Sequence, residues 1–543
     1  MSTPVLLHDL PLQAAARTPD RTALRHRGAA TSYAELGTAI ERVAAGLHRL
    51  GLERLERVGI YLPKQLEAVA AFFGTSRAGG VFVPVNPLLK AEQVVYILRN
   101  CSVRVLITSR DRWAEVRAQL GDDTPLTHVV LVDVDASSGD AIAWSEFISS
   151  GSGETAPKRA VIDIDMASIL YTSGSTGKPK GVVLSHRNML TGAVSVSTYL
   201  ENTPDDRLLA VLPFSFDYGL SQLTTAFRVG ASAVLLDYLF PRDVVRTVEA
   251  EKITGLAAVP PVWIQVADLE WPASVTEHLR YITNSGGRMP RATLDKLRKA
   301  LPRTKPFLMY GLTEAFRGTY LPPEQIDLRP DSMGKAIPNA EIVVVRPDGT
   351  PCDADEPGEL VQRGSLVALG YWNDPEKTAE RFKPLPGQRR ELPITELAVW
   401  SGDTVRMDAE GFLYFVGRRD EMIKTSGYRV SPTEVEEVIY GSGLAGDAVA
   451  FGAPHPTLGE AIVVVASPPA SPTPSPASEG EGRGEGSISG SADALLAYCK
   501  QHMPSYMVPA RIEWLDTLPR NPNGKFDRPQ LAARYKAVFG AAE

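Results

Sequence analysis

Residues 171–181 read YTSGSTGKPKG and form the segment best suited to binding phosphate. Glycines let several backbone N–H groups point into one concave site, hydroxyl groups add donors, and lysine adds positive charge. A Walker loop has four residues between its outer glycines and Ser or Thr after its lysine. Here two residues separate Gly174 from Gly177, and Pro179 follows Lys178. The segment therefore predicts an anion-binding loop of another kind, and composition alone leaves a flexible polar turn as the alternative.

Further segments place glycine, carboxylate, hydroxyl and lysine side chains along the rest of the chain. In order they are SGGRMP (285–290), YGLTEA (310–315), WSGD (400–403), GRRD (417–420) followed by KTSGYR (424–429), and NPNGK (521–525). Together with the phosphate loop, they resemble the signature motifs of the superfamily of acyl-CoA synthetases, peptide-synthetase adenylation domains and luciferases. The resemblance covers nearly the whole chain, and six motifs in the family's order are hard to attribute to chance.

The resemblance implies an ATP site with bound Mg²⁺. Tyr310 would stack near adenine, Thr313 would bond the α-phosphate, and Glu314 would hold Mg²⁺, a hard cation that offsets phosphate charge with oxygen ligands. Asp403 would accept hydrogen bonds from both ribose hydroxyls. The implied ATP- and AMP-binding residues are Thr172, Ser173, Gly174, Ser175, Thr176, Gly177, Lys178, Gly287, Tyr310, Gly311, Asp403 and Arg418.

The catalytic residues implied by the resemblance are Lys525, Glu314 and Thr313. The ammonium of Lys525 would stabilise the negative charge that builds on phosphorus as the acid attacks ATP. The C-terminal domain would then rotate about Asp420, and Gly427 with Arg429 would form the tunnel for a thiol arm. That thiol would belong to CoA or to a carrier-protein phosphopantetheine.

The segment LPFSFDYGL (212–220) aligns with the family motif that forms part of the acyl pocket, to which we assign Phe216, Asp217 and Gly286. Peptide-synthetase adenylation domains carry Asp where this chain has Asp217, and there it pairs with the substrate's α-ammonium. A buried carboxylate needs a cation, and both a substrate amine and a protein cation such as Arg288 or Arg317 remain open. We therefore hypothesise that the substrate is an amino-acid-like or otherwise polar acid.

The longer pattern LPFSFDYGLSQL (212–223) also resembles a bacterial subgroup, the exosortase-associated AMP-forming acyl-CoA ligases. The superfamily as a whole implies ATP-dependent thioester formation through an acyl-adenylate, as in an acyl-CoA ligase. A stand-alone amino-acid adenylating enzyme that loads a carrier protein is the alternative. The partners would then be a small carboxylic acid and either CoA or an acyl carrier protein.

The elements that must position these residues alternate between β-branched runs, such as Ser232–Leu236, and helix-like stretches, such as Tyr33–Leu50. This alternation predicts an α/β fold with substantial parallel sheet. We expect a large multilayer α/β domain over residues 1–416 and a smaller, mobile α+β domain over residues 417–543. The polar, low-complexity segment 467–492 reads as a disordered insertion in the smaller domain.

Composition excludes several classes of protein. The 543 residues carry a formal net charge of −7, so there is no general excess of positive charge for binding nucleic acid. Cys101, Cys352 and Cys499 show no metal-ligand spacing, which fits a reducing compartment. The N-terminal segment predicts neither a signal peptide nor a membrane span, and we expect a cytoplasmic enzyme with no membrane partner.

Overall fold

The computed structural model describes residues 3–121, 124–139, 141–149, 160–172, 179–287, 289, 291–385, 387, 391, 395–418, 422–430, 432–468, 492–519 and 526–540. These residues fall into two compact units. Residues 3–172 and 180–418 build the first, and residues 422–540 build the second.

The strands of the described residues are β1 (Thr22–His26), β2 (Ala29–Ser32), β3 (Arg57–Tyr61), β4 (Val81–Pro84), β5 (Val103–Thr108), β6 (His128–Leu131), β7 (Ala141–Ala143), β8 (Met166–Thr172), β9 (Lys180–Ser185), β10 (Arg207–Ala210), β11 (Ser232–Leu235), β12 (Gly255–Ala258), β13 (Tyr281–Asn284), β14 (Lys305–Tyr310), β15 (Thr319–Leu321), β16 (Ser332–Ala336), β17 (Ala340–Val345), β18 (Gly358–Gly364), β19 (Gly370–Tyr371), β20 (Phe382–Pro384), β21 (Leu397–Met407), β22 (Leu413–Arg418), β23 (Ile423–Thr425), β24 (Tyr428–Val430), β25 (Ala448–His455), β26 (Gly459–Ala466) and β27 (Arg511–Trp514).

The α-helices of the same residues are α1 (Asp9–Arg17), α2 (Tyr33–Arg49), α3 (Leu66–Arg77), α4 (Ala91–Asn100), α5 (Arg110–Leu120), α6 (Trp144–Ser149), α7 (His186–Tyr199), α8 (Asp217–Val229), α9 (Pro241–Ala250), α10 (Pro260–Ala267), α11 (Arg291–Ala300), α12 (Pro375–Arg381), α13 (Pro432–Gly441), α14 (Ala492–His502) and α15 (Arg528–Arg534). Short 3₁₀ helices cover Ala273–Glu277, Thr313–Ala315, Pro323–Gln325 and Ser505–Met507.

Two large sheets form the first unit. One has the strand order β17-β18-β21-β22-β16-β15-β14-β13-β12-β10-β11-β1-β2, with β20 beside β21. The other has the order β19-β9-β8-β4-β3-β5-β6-β7. Many of the pairings are parallel, as the alternation of strand-like and helix-like segments predicts.

Local sequence signals explain where the helices begin. Ser32 caps α2: its hydroxyl accepts the N–H of Glu35, and the Glu35 carboxylate accepts the N–H of Ser32 in return. Ser185 and Asn188 cap α7 in the same reciprocal way. The helix predicted over Tyr33–Leu50 is therefore confirmed within one residue, and its apolar residues Leu36, Ile40, Val43 and Leu47 are buried.

Four neighbouring strands of the first sheet position the predicted site residues. β12 pairs in parallel with β10 on one side and with β13 on the other, and β13 pairs in parallel with β14. The carboxyl ends of parallel strands share one edge of a sheet, which is the edge where open α/β sheets bind ligands. The segments that follow β10, β13 and β14 begin at this edge, and they carry the predicted acyl-pocket and YGLTEA motifs.

The second unit is a five-stranded sheet in the order β24-β23-β26-β25, with β27 beside β26. Separate apolar clusters pack within it, one around Val435 and Ile439 and another around Phe451 and Leu531. This small α+β unit has its own core, as an independently folding domain requires.

At both ends of the segment predicted to be a disordered insertion, residues 467–492, the described residues belong to the folded unit. Ser467, which follows β26, is buried. Its N–H donates to the carbonyl of Asp447, and its hydroxyl accepts the N–H of Asp447. Ala492 is the first residue of α14. Residues 469–491 lie outside the described residues. Among the helices of the described chain, none combines the length and apolar character needed to cross a bilayer.

Candidate functional site

Asp217 is the first residue of α8, and a glycine fixes the way the chain reaches it. A Cβ added to Gly219 would lie 2.1 Å from the carbonyl oxygen of Pro213, so only glycine allows this close approach. The turn Pro213–Phe216 therefore folds tightly against the start of the helix. This packing buries Asp217 and leaves Phe216 half-buried beside it.

The buried carboxylate of Asp217 accepts a hydrogen bond from the hydroxyl of Thr313 at 3.2 Å. Burial raises the pKa of Asp217 to about 6, while the positive charge of Arg317 and the Thr313 hydroxyl oppose that rise. Of the two cations proposed from the sequence, Arg317 is thus close enough to influence Asp217. The two side chains nevertheless form no ion pair within 4.0 Å.

A strained turn directs Arg317 inward. Phe316 has φ 58° and ψ −48°, and the N–H of Arg317 donates to the carbonyl of Ala315 at 2.5 Å, which defines a γ-turn of the rare kind. The Phe316 ring packs on Gly192 of α7, where a Cβ would lie 2.3 Å from the ring. Such strain costs about 1–3 kcal/mol and persists only where surrounding packing enforces it.

Glu314 is held by a tyrosine that the sequence did not single out. The hydroxyl of Tyr371 donates to Glu314 Oε1 at 2.7 Å. The N–H of Ala368 donates to the Glu314 carbonyl at 2.8 Å, so the same segment also holds the backbone of Glu314. The ammonium of Lys180, the first residue of β9, lies 5.5 Å from the centre of the Tyr371 ring.

Tyr310 and Asp403 come together as a second tyrosine–carboxylate pair. The Tyr310 hydroxyl donates to Asp403 Oδ2 at 2.5 Å, and Asp403 is 4% exposed. Its backbone N–H donates to the hydroxyl of Ser401, and Asp403 lies opposite Arg418 in the pairing of β21 with β22. The YGLTEA and WSGD motifs, far apart in sequence, therefore meet in space.

The predicted glycines of the site sit where backbone conformation or close packing favours them. Gly286 has φ +80°, a value that L side chains rarely adopt. Gly287 packs on Pro260, and its carbonyl accepts a bond from the side chain of Asn284 at 2.9 Å. A Cβ on Gly311 would lie 3.2 Å from Arg317 Cα.

Other predicted residues have simpler settings. Thr172 ends β8, is half-buried, and lies opposite Lys180 in the pairing of β8 with β9. Gly427 is the second residue of a two-residue hairpin loop between β23 and β24, and both loop residues have positive φ. This turn type explains Gly427 on backbone grounds alone. Arg429 pairs with Lys424 in that hairpin.

Several predicted positions lie outside the described residues. They are Ser173, Gly174, Ser175, Thr176, Gly177, Lys178, Arg288, Asp420 and Lys525, together with the side chain of Arg418. Their roles remain predictions.

The residues present fit a magnesium ion that arrives with a nucleotide. In the part of the chain that the structure describes, no cluster of three or more Asp, Glu, His or Cys side chains could hold a metal by itself. Mg²⁺ commonly takes one or two carboxylates and completes its shell with phosphate oxygens and water. Glu314 is a half-buried carboxylate with one oxygen bonded to Tyr371, which suits such a ligand.

Sequence reasoning missed Tyr371 and Ser221. Tyr371 reaches Glu314 only because β19 pairs with β9, and a two-residue strand gives no periodic signal. Ser221 accepts a hydrogen bond from Arg317 and lies one helical turn after Asp217, so its spacing on α8 was the available signal. Trp263 on α10 belongs to the core, where its side-chain N–H donates to the carbonyls of Ala258 and Thr283.

Comparison with known families gives two matches. A model described as AMP-binding enzyme matches residues 12–372, and one described as AMP-binding enzyme C-terminal domain matches residues 434–525. Among solved structures, o-succinylbenzoate CoA synthetase from Bacillus subtilis, bound with its product analogue, superposes with a TM-score of 0.80 at 26% identity. That match covers 96% of this chain and 97% of the synthetase. The predicted family resemblance and α/β fold class are confirmed.

Curated relatives fall into two kinds. The chain is 29% identical to a linear gramicidin synthase of Brevibacillus parabrevis over 97% of its own length, but it spans only 10% of that synthase. It is 29% identical to feruloyl-CoA synthase of an Amycolatopsis species, covering 97% of this chain and 98% of the synthase. It is 30% identical to L-proline–[L-prolyl-carrier protein] ligase of Pseudomonas fluorescens, covering 98% and 99%.

Proposed function

Because the chain belongs to the family of AMP-binding enzymes, we propose that it activates a carboxylic acid with ATP and transfers the acyl group to the thiol of CoA. The observation that carries this proposal is the convergence of distant motifs in the first unit. Thr313 bonds Asp217 across 96 positions of sequence, and Tyr310 bonds Asp403 across 93.

The nucleotide would be held by the side of this site that contains Tyr310 and Asp403. Asp403 is buried and fixed by β21, and a carboxylate accepts two ribose hydroxyls through its remaining lone pairs. Glu314 would hold Mg²⁺ together with the ATP phosphates. When bound, the cation supplies positive charge that offsets the phosphates and the departing pyrophosphate.

In the first half-reaction, a carboxylate oxygen of the acid attacks the α-phosphorus of ATP. The bond from that phosphorus to the bridging oxygen breaks, and pyrophosphate leaves with the electron pair. Thr313 has a single hydroxyl proton, which points to Asp217 in the structure. To bond the α-phosphate, it must turn away, and Asp217 then needs another donor.

Lys525 would neutralise the charge that grows on the phosphorus oxygens during this attack. We further propose that residues 417–543 form a mobile domain that turns about Asp420 between the half-reactions, so that Gly427 and Arg429 replace Lys525. In the second half-reaction, the thiolate attacks the acyl carbonyl. The bond from that carbon to the phosphate oxygen breaks, and AMP leaves with the oxygen.

A second candidate function is amino-acid adenylation for a carrier protein. Two observations favour it: Asp217 is a buried carboxylate that would suit an ammonium group, and one relative is a ligase for L-proline and its carrier protein. The nearby charge of Arg317 argues the other way, because it already provides part of the compensation that Asp217 needs.

Product analysis separates these functions. The purified protein is incubated with Mg²⁺, ATP and a panel of fatty, aryl, hydroxy and amino acids, first with CoA and then with a phosphopantetheinylated carrier protein. We expect AMP, pyrophosphate and an acyl-CoA. Thioester formation on the carrier alone would replace the main proposal with the second one, and release of ADP would contradict both.

A further inference from the structure

Arg317 is a buried guanidinium whose hydrogen-bonding capacity is largely unused. It is 2% exposed and donates from Nη2 to the Ser221 hydroxyl at 3.1 Å, and the guanidinium carbon lies 4.6 Å from the centre of the Tyr218 ring. Its Nε is buried and has no acceptor in the described residues. A guanidinium offers five N–H donors, and burying them without acceptors is costly.

Another arginine of the same unit stacks on an aromatic ring, and its charge is balanced by carboxylates. Arg329 packs over the Phe412 ring at 4.1 Å, much as Arg317 packs over Tyr218. Arg329, however, also forms ion pairs with Asp408 and Glu410. Arg317 forms no ion pair with a carboxylate of the described residues, although its charge acts on Asp217 from a greater distance. The difference indicates that Arg317 is arranged for an acceptor that the chain itself does not supply.

The position of Arg317 relates it to the acid. It follows the Thr313–Ala315 turn through the γ-turn at Phe316, so it is tied to the proposed catalytic residues. Its partner Ser221 lies four residues after Asp217, on the same face of α8. Asp217 and Arg317 therefore offer an acceptor and a donor along one helix face, next to Thr313.

We propose that Arg317 binds a second carboxylate, carried on the chain of the acid whose first carboxyl group is activated. A planar guanidinium binds a carboxylate through paired, charge-assisted hydrogen bonds, and burial strengthens them. Asp217 would accept a hydroxyl or ammonium group on the same chain. The inference rests on the proposed function and narrows its substrate class to dicarboxylic acids, including acidic amino acids.

The test begins with the wild-type protein, so it does not depend on a variant that folds. ATP–pyrophosphate exchange is measured with saturated acids of four to eight carbons in chain-matched sets that end in methyl, hydroxyl, amino or carboxylate, together with aspartate and glutamate. We expect at least one dicarboxylic acid to exceed its methyl-terminated counterpart by about 100-fold or more in kcat/KM. A best substrate that ends in hydroxyl or amino would overturn the second-carboxylate assignment.

Variants then assign the preference to Arg317. Arg317→Met should remove it, Arg317→Lys should retain part of it because the positive charge remains, and Arg329→Met should leave it unchanged. Calorimetric binding of each acid with a non-hydrolysable ATP analogue gives a second readout that needs no turnover. Equal affinity for methyl- and carboxylate-ended acids, or a preference that survives in Arg317→Met, would refute the inference. Exchange with any acid would still support the proposed function, and exchange with none would count against that function instead.

Discussion

Carboxylates on two sides of the site in the first unit differ in the partners that the protein gives them. On the proposed nucleotide side, Asp403 and Glu314 each accept a short hydrogen bond from a tyrosine. On the proposed acid side, Asp217 is buried beside a cation that does not reach it, and its pKa rises to about 6. In the first pair, one oxygen of each carboxylate accepts a hydrogen bond from an uncharged phenol. Asp217 carries an electrostatic cost in the absence of a ligand.

This contrast has a chemical reason. ATP is the same in every turnover, so rigid, hydrogen-bonded carboxylates are suited to it. An acid pocket discriminates best when its polar groups lack partners until the right substrate supplies them, because any other substrate leaves them buried and unpaired. Substitutions on the nucleotide side should therefore lower activity with all acids by the same factor, whereas substitutions on the acid side should lower it by a factor that depends on the acid.

The largest effect should come from Glu314→Gln. Removing the charge proposed to hold Mg²⁺ should lower ATP–pyrophosphate exchange by about 10²–10³-fold, comparable to losing one key electrostatic group. The factor should be the same for every acid. Glu324→Gln is the matched control, because Glu324 also lies in a short 3₁₀ turn and is exposed. A loss that differs strongly between acids would break the contrast between the two sides.

Asp217→Asn should stabilise the free protein while impairing use of its acid. The folded pKa of Asp217, about 6, lies above its ordinary value of 3.8, so its contribution to stability is present below pH 3.8 and lost as pH rises through 6. The variant should thus gain about 3 kcal/mol at pH 7 and only about 1 kcal/mol at pH 4.5.

Urea unfolding at the two pH values measures this gain. Asp295→Asn is the control, since Asp295 is exposed on α11 and should change stability by less than about 0.5 kcal/mol. If Asp217→Asn is no more stable than wild type at pH 7, or its gain does not depend on pH, then Asp217 carries no unmet electrostatic cost.

Tyr371→Phe should give a smaller, magnesium-specific defect. The phenol holds one oxygen of Glu314, and loss of such an outer-shell partner typically weakens metal binding about 10–100-fold. Binding of Mn²⁺ with ATP, followed by electron paramagnetic resonance, should weaken accordingly, and excess Mg²⁺ should restore activity. Tyr414→Phe is the control, because its hydroxyl also donates to a carboxylate, that of Asp408. Unchanged metal binding in Tyr371→Phe would show that the bond is only structural.

The sequence predicted more of the nucleotide side of the site than of the acid side. The family motifs predicted the α/β class and named Tyr310, Asp403, Thr313 and Glu314, because short-range signatures carry the nucleotide chemistry. They could not predict Tyr371, since a pairing between β19 and β9 brings it to Glu314. Nor could they decide which cation lies near Asp217, because the position of Arg317 depends on a γ-turn at Phe316. That turn has a positive φ but no glycine, so the sequence gives no signal for it.

If the acid passes through an acyl-adenylate, one of its carboxyl oxygens must end on AMP, and the fate of that oxygen tests the proposed function most directly. The protein is supplied with ATP, Mg²⁺, CoA and its best acid labelled with ¹⁸O in the carboxyl group, and the released nucleotide is analysed by mass spectrometry. We expect one labelled oxygen in AMP, because the attacking carboxylate oxygen stays on phosphorus when the thiol displaces AMP. Unlabelled AMP, or label in inorganic phosphate beside ADP, would contradict the account.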